Sequence, residues 1–320
     1  MTRFSEPFPV SVRNQKHRYL SGQLTAVVAV LLMASGAVKS EDLPRLTDAR
    51  EHLQRGRYAE ASEAYSQFIE QHGAEHEQFP SAVIGLSRAL ESQGKYDEAL
   101  VQLTEAGSSS PAALAETARL QFMTGQMDAA MASCQAALQV DADVPLAHLI
   151  LARIRTETGD LDGANNEFRW FVRYYNRKQP TDADTLLLVA EGAGEYARWN
   201  SNSSIFNFII NTLCVDALKD DPLSWQTHLV SGSLLLEKYN RAQAIPDLKK
   251  ALEINPRAVP VIVALGEAAL QKHDIDSAMI YAEQALKVQE NHVPTLRLMA
   301  DIALKRNSPV ATLLALEKAL

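Results

Sequence analysis

The sequence is poor in the residues that mark β-sheet proteins and disulfide-stabilised domains. Only 7% of its 320 residues are aromatic, it has 14 glycines, and it has two cysteines. Regular Gly, Pro and Asn turn clusters between alternating Val, Thr and Tyr strands do not occur, which excludes a β-sandwich of this size. Alanine and leucine dominate instead, and this mixture favours helix over sheet.

Positive charge is scarce outside the N-terminal region. The formal net charge is −8, but residues 1–40 carry five basic residues against Glu6, which leaves −12 for the rest of the chain. Affinity for nucleic acid depends on clustered Lys and Arg side chains. The acidic body therefore argues against a nucleic-acid-binding protein.

The first forty residues are predicted to be an export segment. Basic residues at Arg13, Lys16 and Arg18 precede an apolar run over residues 24–38, and small residues near its end fit a signal-peptidase site. A membrane-spanning helix needs about 20 apolar residues, which is longer than this run. An uncleaved N-terminal membrane anchor is the alternative. In either case we expect the body outside the cytoplasm, periplasmic or anchored, with membrane contact only through this segment.

A repeated pattern becomes visible when the glycines of four similar turns are aligned. A small residue lies seven positions before each glycine, and an alanine lies five positions after it. The spacings between these glycines are 38, 31 and 34 residues. The four are Gly56, Gly94, Gly125 and Gly159.

The same period continues in the C-terminal part without a turn glycine, because Gly232, Gly266 and Ala300 are 34 residues apart. These patterns resemble the tetratricopeptide repeat (TPR) family, whose unit is a helix–turn–helix of about 34 residues. Small residues let two antiparallel helices approach closely, and glycine ends the first helix at little conformational cost. The resemblance covers residues 42–320. It implies an all-α fold, a right-handed α-α superhelix (TPR solenoid) of about eight helical hairpins after an N-terminal signal segment.

The pattern divides the chain into four predicted segments. Residues 1–40 are a signal peptide or N-terminal membrane anchor, and residues 42–180 are TPR units 1–4. Residues 181–222 are a divergent helical hairpin with a longer first helix and an aromatic second helix. Residues 223–320 are TPR units 6–8, the last one incomplete. The array resembles the N-terminal solenoid of larger exported bacterial proteins, some of which end in a peptidase-like domain.

The sequence supports no catalytic, metal or cofactor site. His72 and His76 match an H-x-x-E-H spacing, but Gly73 between them indicates a connection between repeats rather than the stable helix that a zinc site needs. Phosphate-loop, nucleophile-elbow and C-x-x-C motifs do not occur. Cys134 and Cys214 lie two repeats apart, too far for a disulfide, so we expect both in the core. We therefore predict no enzymatic activity, no metal and no cofactor.

An arginine stands six residues before each of the four turn glycines, and apolar residues lie four positions earlier. This set comprises Arg50, Arg88, Arg119, Arg153, Leu46, Ile84 and Leu149. In TPR proteins this position of the first helix faces the concave groove, so the resemblance implies a basic and apolar partner-binding groove. The corresponding positions in the last three units are Ser233, Glu267 and Asp301, which predicts an acidic opposite end. The alternative is that each arginine pairs with a carboxylate of a neighbouring repeat and only sets the stacking.

These observations favour a non-catalytic protein–protein interaction scaffold outside the cytoplasm, which binds a peptide or protein partner in the concave groove. The alternative is the N-terminal targeting solenoid of a larger exported enzyme, such as a peptidase, with its catalytic domain beyond residue 320. Catalysis by the repeats themselves lacks a nucleophile, a base and an orienting group in any recognisable pattern.

Overall fold

The computed structural model describes residues 42–105, 110–238 and 240–319, so the predicted export segment lies outside the described residues. Every regular element in these ranges is a helix. The helices are α1 (Asp42–Gln54), α2 (Tyr58–His72), α3 (Phe79–Glu91), α4 (Tyr96–Glu105), α5 (Pro111–Met123), α6 (Met127–Val140), α7 (Pro145–Glu157), α8 (Leu161–Lys178), α9 (Ala183–Trp199), α10 (Ser203–Phe208), α11 (Cys214–Asp220), α12 (Trp225–Glu237), α13 (Arg241–Ile254), α14 (Val259–Gln271), α15 (Ile275–Val288), α16 (Val293–Lys305) and α17 (Pro309–Ala319). A π-helical segment, Ile209–Leu213, joins α10 to α11.

Consecutive helices of the described ranges pair into eight hairpins. The first helices are α1, α3, α5, α7, α9, α12, α14 and α16, and each packs on the second helix that follows it. The fifth second helix is the continuous α10–α11 helix with its π-helical segment. First helices of neighbouring hairpins also contact one another along the whole series. The predicted all-α solenoid of helical hairpins is confirmed.

Left-handed residues close the turns within the hairpins. The four aligned glycines have φ between +73° and +82°, a conformation that costs other residues about 1–2 kcal/mol. In the last two hairpins His273 and Asn307 take this place, with φ of +58° and +55°, and they lie 34 positions apart. Asn and His are among the non-glycine residues that adopt this conformation most readily. The period therefore continues in the C-terminal hairpins without a turn glycine.

Glycines in the first helices make room for aromatic rings of the preceding hairpin. A Cβ at Gly85 would lie 2.3 Å from the Tyr65 ring, and one at Gly192 would lie 2.1 Å from the Phe171 ring. Both rings belong to second helices and are buried. Each ring therefore fills the space left by a missing side chain in the next hairpin, which builds the apolar seam between hairpins.

The core follows this seam along the array. Its largest cluster of buried side chains runs from α7 to α12 and is centred on the divergent fifth hairpin. Phe171, Leu186 and Ile209 in this cluster are at most 2% exposed. The aromatic second helix of this hairpin is thus packed into the solenoid on both sides.

Distant hairpins also touch each other, so the solenoid contacts itself after one turn. The Tyr58 hydroxyl donates to the carbonyl oxygen of Arg257 at 3.1 Å and accepts from Nδ2 of Asn255 at 3.2 Å. Farther along, Nε2 of Gln289 donates to the carbonyl oxygen of Glu91 at 3.0 Å. These pairs are separated by 197 to 199 residues, which is about six repeats. We call the first of them, with Gly56 and Tyr58 on one side and Asn255 and Arg257 on the other, the inter-turn contact.

Candidate partner-binding surface

The first helices form the inner layer of the solenoid. Their direct contacts with one another put them on the more closely spaced side, toward which a stack of repeats curves. Arg50, Arg88, Arg119 and Arg153 lie on α1, α3, α5 and α7. The four arginines therefore occupy corresponding positions on four successive first helices.

Two of these arginines share one carboxylate. Nε and Nη2 of Arg88 lie 3.1 and 3.3 Å from the two carboxylate oxygens of Glu116. Nη2 of Arg119 lies 2.7 Å from Oε1 of the same residue. Arg119 also donates through Nη1 to Oε1 of Glu91 at 3.0 Å. This network joins α3 to α5 and fixes the second hairpin against the third.

The shared carboxylate is fully buried, with 0% of Glu116 exposed. Burial would raise the pKa of Glu116, but the charges of Arg119 and Arg88 and their hydrogen bonds lower it to about 2. Glu116 is therefore ionised throughout the physiological range. Bidentate bonds between a guanidinium and a carboxylate are among the strongest hydrogen bonds in proteins, so this network stabilises the stack of repeats.

The other two arginines also have carboxylate partners. Nη2 of Arg153 lies 2.9 Å from Oε2 of Glu191 on α9, and both side chains are about two-fifths exposed. Nη2 of Arg50 lies 3.4 Å from Asp221 and 3.6 Å from Asp184, so it reaches from the first hairpin to the fifth and to the connection that follows it. The alternative of ion pairs with a neighbouring repeat describes the geometry of Arg88, Arg119 and Arg153. Arg50 is also paired, but with acids of a distant part of the array. The role of the four arginines in partner binding stays a prediction.

The apolar side chains predicted beside the arginines differ in exposure. Leu46 and Ile84 are half-buried on α1 and α3. Leu149 is 1% exposed and belongs to the central core cluster. Leu149 is therefore a core residue in this structure and does not reach the surface of the groove.

The opposite end of the inner layer is acidic, as the sequence indicates. Ser233, Glu267 and Asp301 lie on α12, α14 and α16, and the two acids are exposed. Neither acid forms an ion pair with a residue that the structure describes. Although Glu267 is exposed at the surface, partial loss of its hydration against the packed helices raises its pKa, as does the nearby charge of Asp301, while Arg297 opposes this effect.

A cavity of about 280 Å³ opens beside Glu267 on this inner layer. Leu229 and Ser233 contribute one wall from α12, Val263 belongs to the α14 wall, and His292 closes it from the start of α16. Val263 in the α14 wall is largely covered by its neighbours, with 5% of the residue exposed. The lining is mostly apolar and includes the acidic residue Glu267.

The two cysteines and the two histidines of the H-x-x-E-H spacing lie at separate places in the fold. Cys134 and Cys214 are free buried thiols, and burial raises the pKa of each to about 12. His72 ends α2, and its ring and that of His76 pack on the Phe68 ring, with centroids 4.5 and 5.2 Å away. Within the described ranges, no three metal-ligating side chains come together and no helix is long and apolar enough to cross a membrane.

Comparison with known families agrees with this architecture. Family models of the tetratricopeptide repeat match residues 46–106, 92–154 and 259–292, which fall on the N-terminal hairpins and on α14–α15. The chain is a tetratricopeptide repeat protein. This repeat fold is typical of protein–protein interaction scaffolds, whose stacked units form extended concave surfaces. No curated protein is a significant match to this TPR protein.

Solved structures resemble this TPR protein at low sequence identity. The Cut9–Hcn1 hetero-tetramer of the APC/C has a TM-score of 0.56 and 13% identity, over 89% of this chain and 54% of that chain. This chain thus spans about half the length of that protein. A TPR protein from Parabacteroides merdae has a TM-score of 0.47 and 16% identity, over 82% of this chain and 98% of that chain. Yeast Tom70 has a TM-score of 0.45 and 15% identity, over 87% of this chain and 66% of that chain. The likeness to Cut9–Hcn1 shows the fold alone.

The spacing of the arginines does not by itself identify the carboxylates that pair with them. Arg88 and Glu116 are 28 residues apart, and so are Glu91 and Arg119. Each of these acids also stands three positions from an arginine of the series, Glu91 after Arg88 and Glu116 before Arg119. That regular placement of acids was the available signal. The inter-turn contact has no comparable local signal.

Proposed function

We propose that this TPR protein is a non-catalytic scaffold outside the cytoplasm and binds a peptide or protein partner in the concave groove lined by its first helices. The observation that carries the proposal is the continuous inner layer from α1 to α16, in which neighbouring first helices contact each other directly. Such a layer offers corresponding side chains at the spacing of the repeats. An extended segment of a partner can follow it over several units.

The proposed location rests on the N-terminal region. Basic residues ahead of an apolar run are typical of export segments. A reporter enzyme that is active only outside the cytoplasm, fused after residue 41, should gain activity in a bacterial host. Val28→Asp, which interrupts the apolar run, should remove that activity. Equal activity of the two fusions would contradict export.

The groove is tested by comparing one arginine of the inner layer with one on an outer helix. Arg153 pairs with Glu191 at the surface of the inner layer, whereas Arg173 is an exposed residue of the second helix α8. Arg153→Glu should reduce partner capture from extracts of the source organism by about tenfold or more, the effect of losing one charge-assisted hydrogen bond. Arg173→Glu, with the same charge change, should leave capture unchanged.

Photo-crosslinking from the same two positions locates the partner directly. Crosslinks from position 153 and none from position 173 are expected. Crosslinks from position 173 alone would place the partner on the outer helices and contradict the proposal. Arg88 and Arg119 are unsuitable for this test, because replacing them would leave the buried Glu116 carboxylate without its counter-charges.

A further inference from the structure

The acidic end of the inner layer differs from the arginine end in the availability of its charges. Arg88 and Arg119 are bound to carboxylates of neighbouring hairpins. Glu267 and Asp301 have no such partner among the described residues. A ligand that approaches the arginine end must compete with internal ion pairs, whereas a cation that approaches Glu267 meets a carboxylate without an ion-pair partner.

The cavity next to Glu267 is large enough to admit a side chain of a partner. Pockets for drug-sized ligands measure about 300–1,000 Å³, so a cavity of about 280 Å³ is at the lower limit of that range. Its lining by Leu229, Val263 and Ala264 suits an aliphatic group. In peptide recognition, such pockets select a side chain while neighbouring polar groups set its orientation.

The residues around the cavity leave its edge negative. Burial lowers the pKa of His292 to about 4, so this wall is neutral at physiological pH and does not repel a cation. Arg297 is the basic residue that acts on Glu267, and Asp301 on the same helix opposes it. Glu267 and Asp301 together exceed the single positive charge of Arg297.

We propose that the cavity between α12, α14 and α16 is a subsite for a partner segment that carries an aliphatic side chain next to a lysine or arginine. This proposal rests on the proposed scaffold function and names the class of segment. The aliphatic side chain enters the cavity between Leu229 and Val263. The adjacent cation pairs with Glu267 of α14, which is the acidic residue among those that line the cavity.

The probe is an array of synthetic nonapeptides with every pair of residues placed in a glycine–serine host. Full-length protein should be retained most strongly by peptides that combine Leu, Ile or Met with an adjacent Lys or Arg. Glu267→Gln should lower retention of these peptides about tenfold, as loss of one charge-assisted contact does. Glu253→Gln is the matched control, because Glu253 is an exposed acid on the second helix α13. The control should bind as the unaltered protein does.

A second variant tests the cavity itself. Ser233→Met places a longer side chain at the wall of the cavity and keeps Glu267. This variant should no longer prefer peptides with an aliphatic residue, but it should still prefer, more weakly, peptides with a Lys or Arg. Equal retention of Leu–Glu and Leu–Lys peptides, or unchanged binding by Glu267→Gln, would overturn the subsite. The scaffold proposal would survive that result if position 153 still crosslinks to a partner. It would fail separately if crosslinks arose from position 173 alone.

Discussion

Gly56 offers a sharp test of the inter-turn contact, because three other glycines have the same local conformation without the contact. Gly56 has a φ of +73° and Gly94 a φ of +80°. A Cβ at Gly56 would lie 2.3 Å from Oδ1 of Asn255, whereas a Cβ at Gly94 would meet nothing within 4 Å. Gly56→Ala and Gly94→Ala therefore share the backbone strain and differ in the contact with a distant hairpin.

The expected difference follows from the groups at the contact. Both substitutions cost about 1–2 kcal/mol because alanine is strained at positive φ. Gly56→Ala also displaces Asn255, which is 0% exposed, and disturbs the two hydrogen bonds of the Tyr58 hydroxyl. Each of these bonds contributes about 1 kcal/mol. Partial exposure of the Tyr58 ring, now 3% exposed, adds to this loss. We expect Gly56→Ala to cost about 3 kcal/mol more than Gly94→Ala.

Hydrogen exchange followed by mass spectrometry separates the local effect from the distant one. Both variants should exchange faster around their own turn. Gly56→Ala alone should also accelerate exchange over residues 255–261, which are 197 or more positions away in the chain. Small-angle scattering should show a larger radius of gyration for this variant. The Gly94→Ala variant should keep the radius of the unaltered protein.

Two results would refute this reasoning. Unchanged exchange over residues 255–261 in Gly56→Ala would mean that the hairpins do not touch in solution. The excess cost of Gly56→Ala should also shrink in an Asn255→Ala background, because the clashing oxygen is absent there. An excess cost that persists in full in that background would mean that the contact with Asn255 does not cause it.

Four further substitutions test the buried charges and the close packing. Glu116→Gln should destabilise the fold by about 3–5 kcal/mol at pH 7 in urea unfolding, because it leaves two guanidinium groups without their shared carboxylate. Because the folded pKa of Glu116 is lowered to about 2, its stabilisation is present above the unfolded pKa near 4.5. The free energy of unfolding should fall by roughly 3 kcal/mol as the pH falls toward 2. If Glu116→Gln lost stability equally steeply, Glu116 would not be the source of this pH dependence. His292 has a lowered pKa of about 4 and an ordinary value of 6.5. Protonation of His292 should therefore reduce the free energy of unfolding as the pH falls from 6.5 to about 4. His292→Gln should give a flatter dependence of stability on pH in this interval, and identical profiles would contradict the lowered pKa of His292. Gly192→Ala should cost about 1–3 kcal/mol, since its Cβ would meet the Phe171 ring at 2.1 Å. A Cβ at Gly194 in the same helix would have no contact closer than 3.8 Å, so Gly194→Ala should stabilise the helix by about 0.5–1 kcal/mol. Equal effects of Gly192→Ala and Gly194→Ala would contradict the close packing of Gly192 on Phe171.

The sequence predicts what depends on neighbouring residues in the chain. The turn glycines, the small residues at crossings and the series of arginines on first helices follow from regular spacings, and the confirmed helical solenoid follows from the same spacings. The left-handed residue in the turn at His273 is not predicted from the sequence, because the turn lacks glycine. Asn307 lies 34 positions later in the corresponding turn, and both residues adopt positive φ.

Other features depend on where distant parts of the chain meet. The Tyr58–Asn255 pair is set by the curvature accumulated over about six repeats, and a small change in each packing angle would separate the two residues. The burial of Leu149 has a similar origin, because neighbouring helices cover a position that helical spacing alone places beside Arg153. The π-helical segment over residues 209–213 also lacks a sequence signal that we recognise.

The inter-turn contact has a consequence for the protein during its synthesis. Tyr58 emerges from the ribosome 197 residues before Asn255 does. At translation rates of about 5–20 residues per second, the interval is roughly 10–40 seconds. In a simple array each hairpin can settle as soon as its neighbour appears, in the order of translation. In this protein the Tyr58 side chain of the first described hairpin stays uncovered until the segment with Asn255 has been synthesised. That hairpin is therefore among the last to reach its final surroundings.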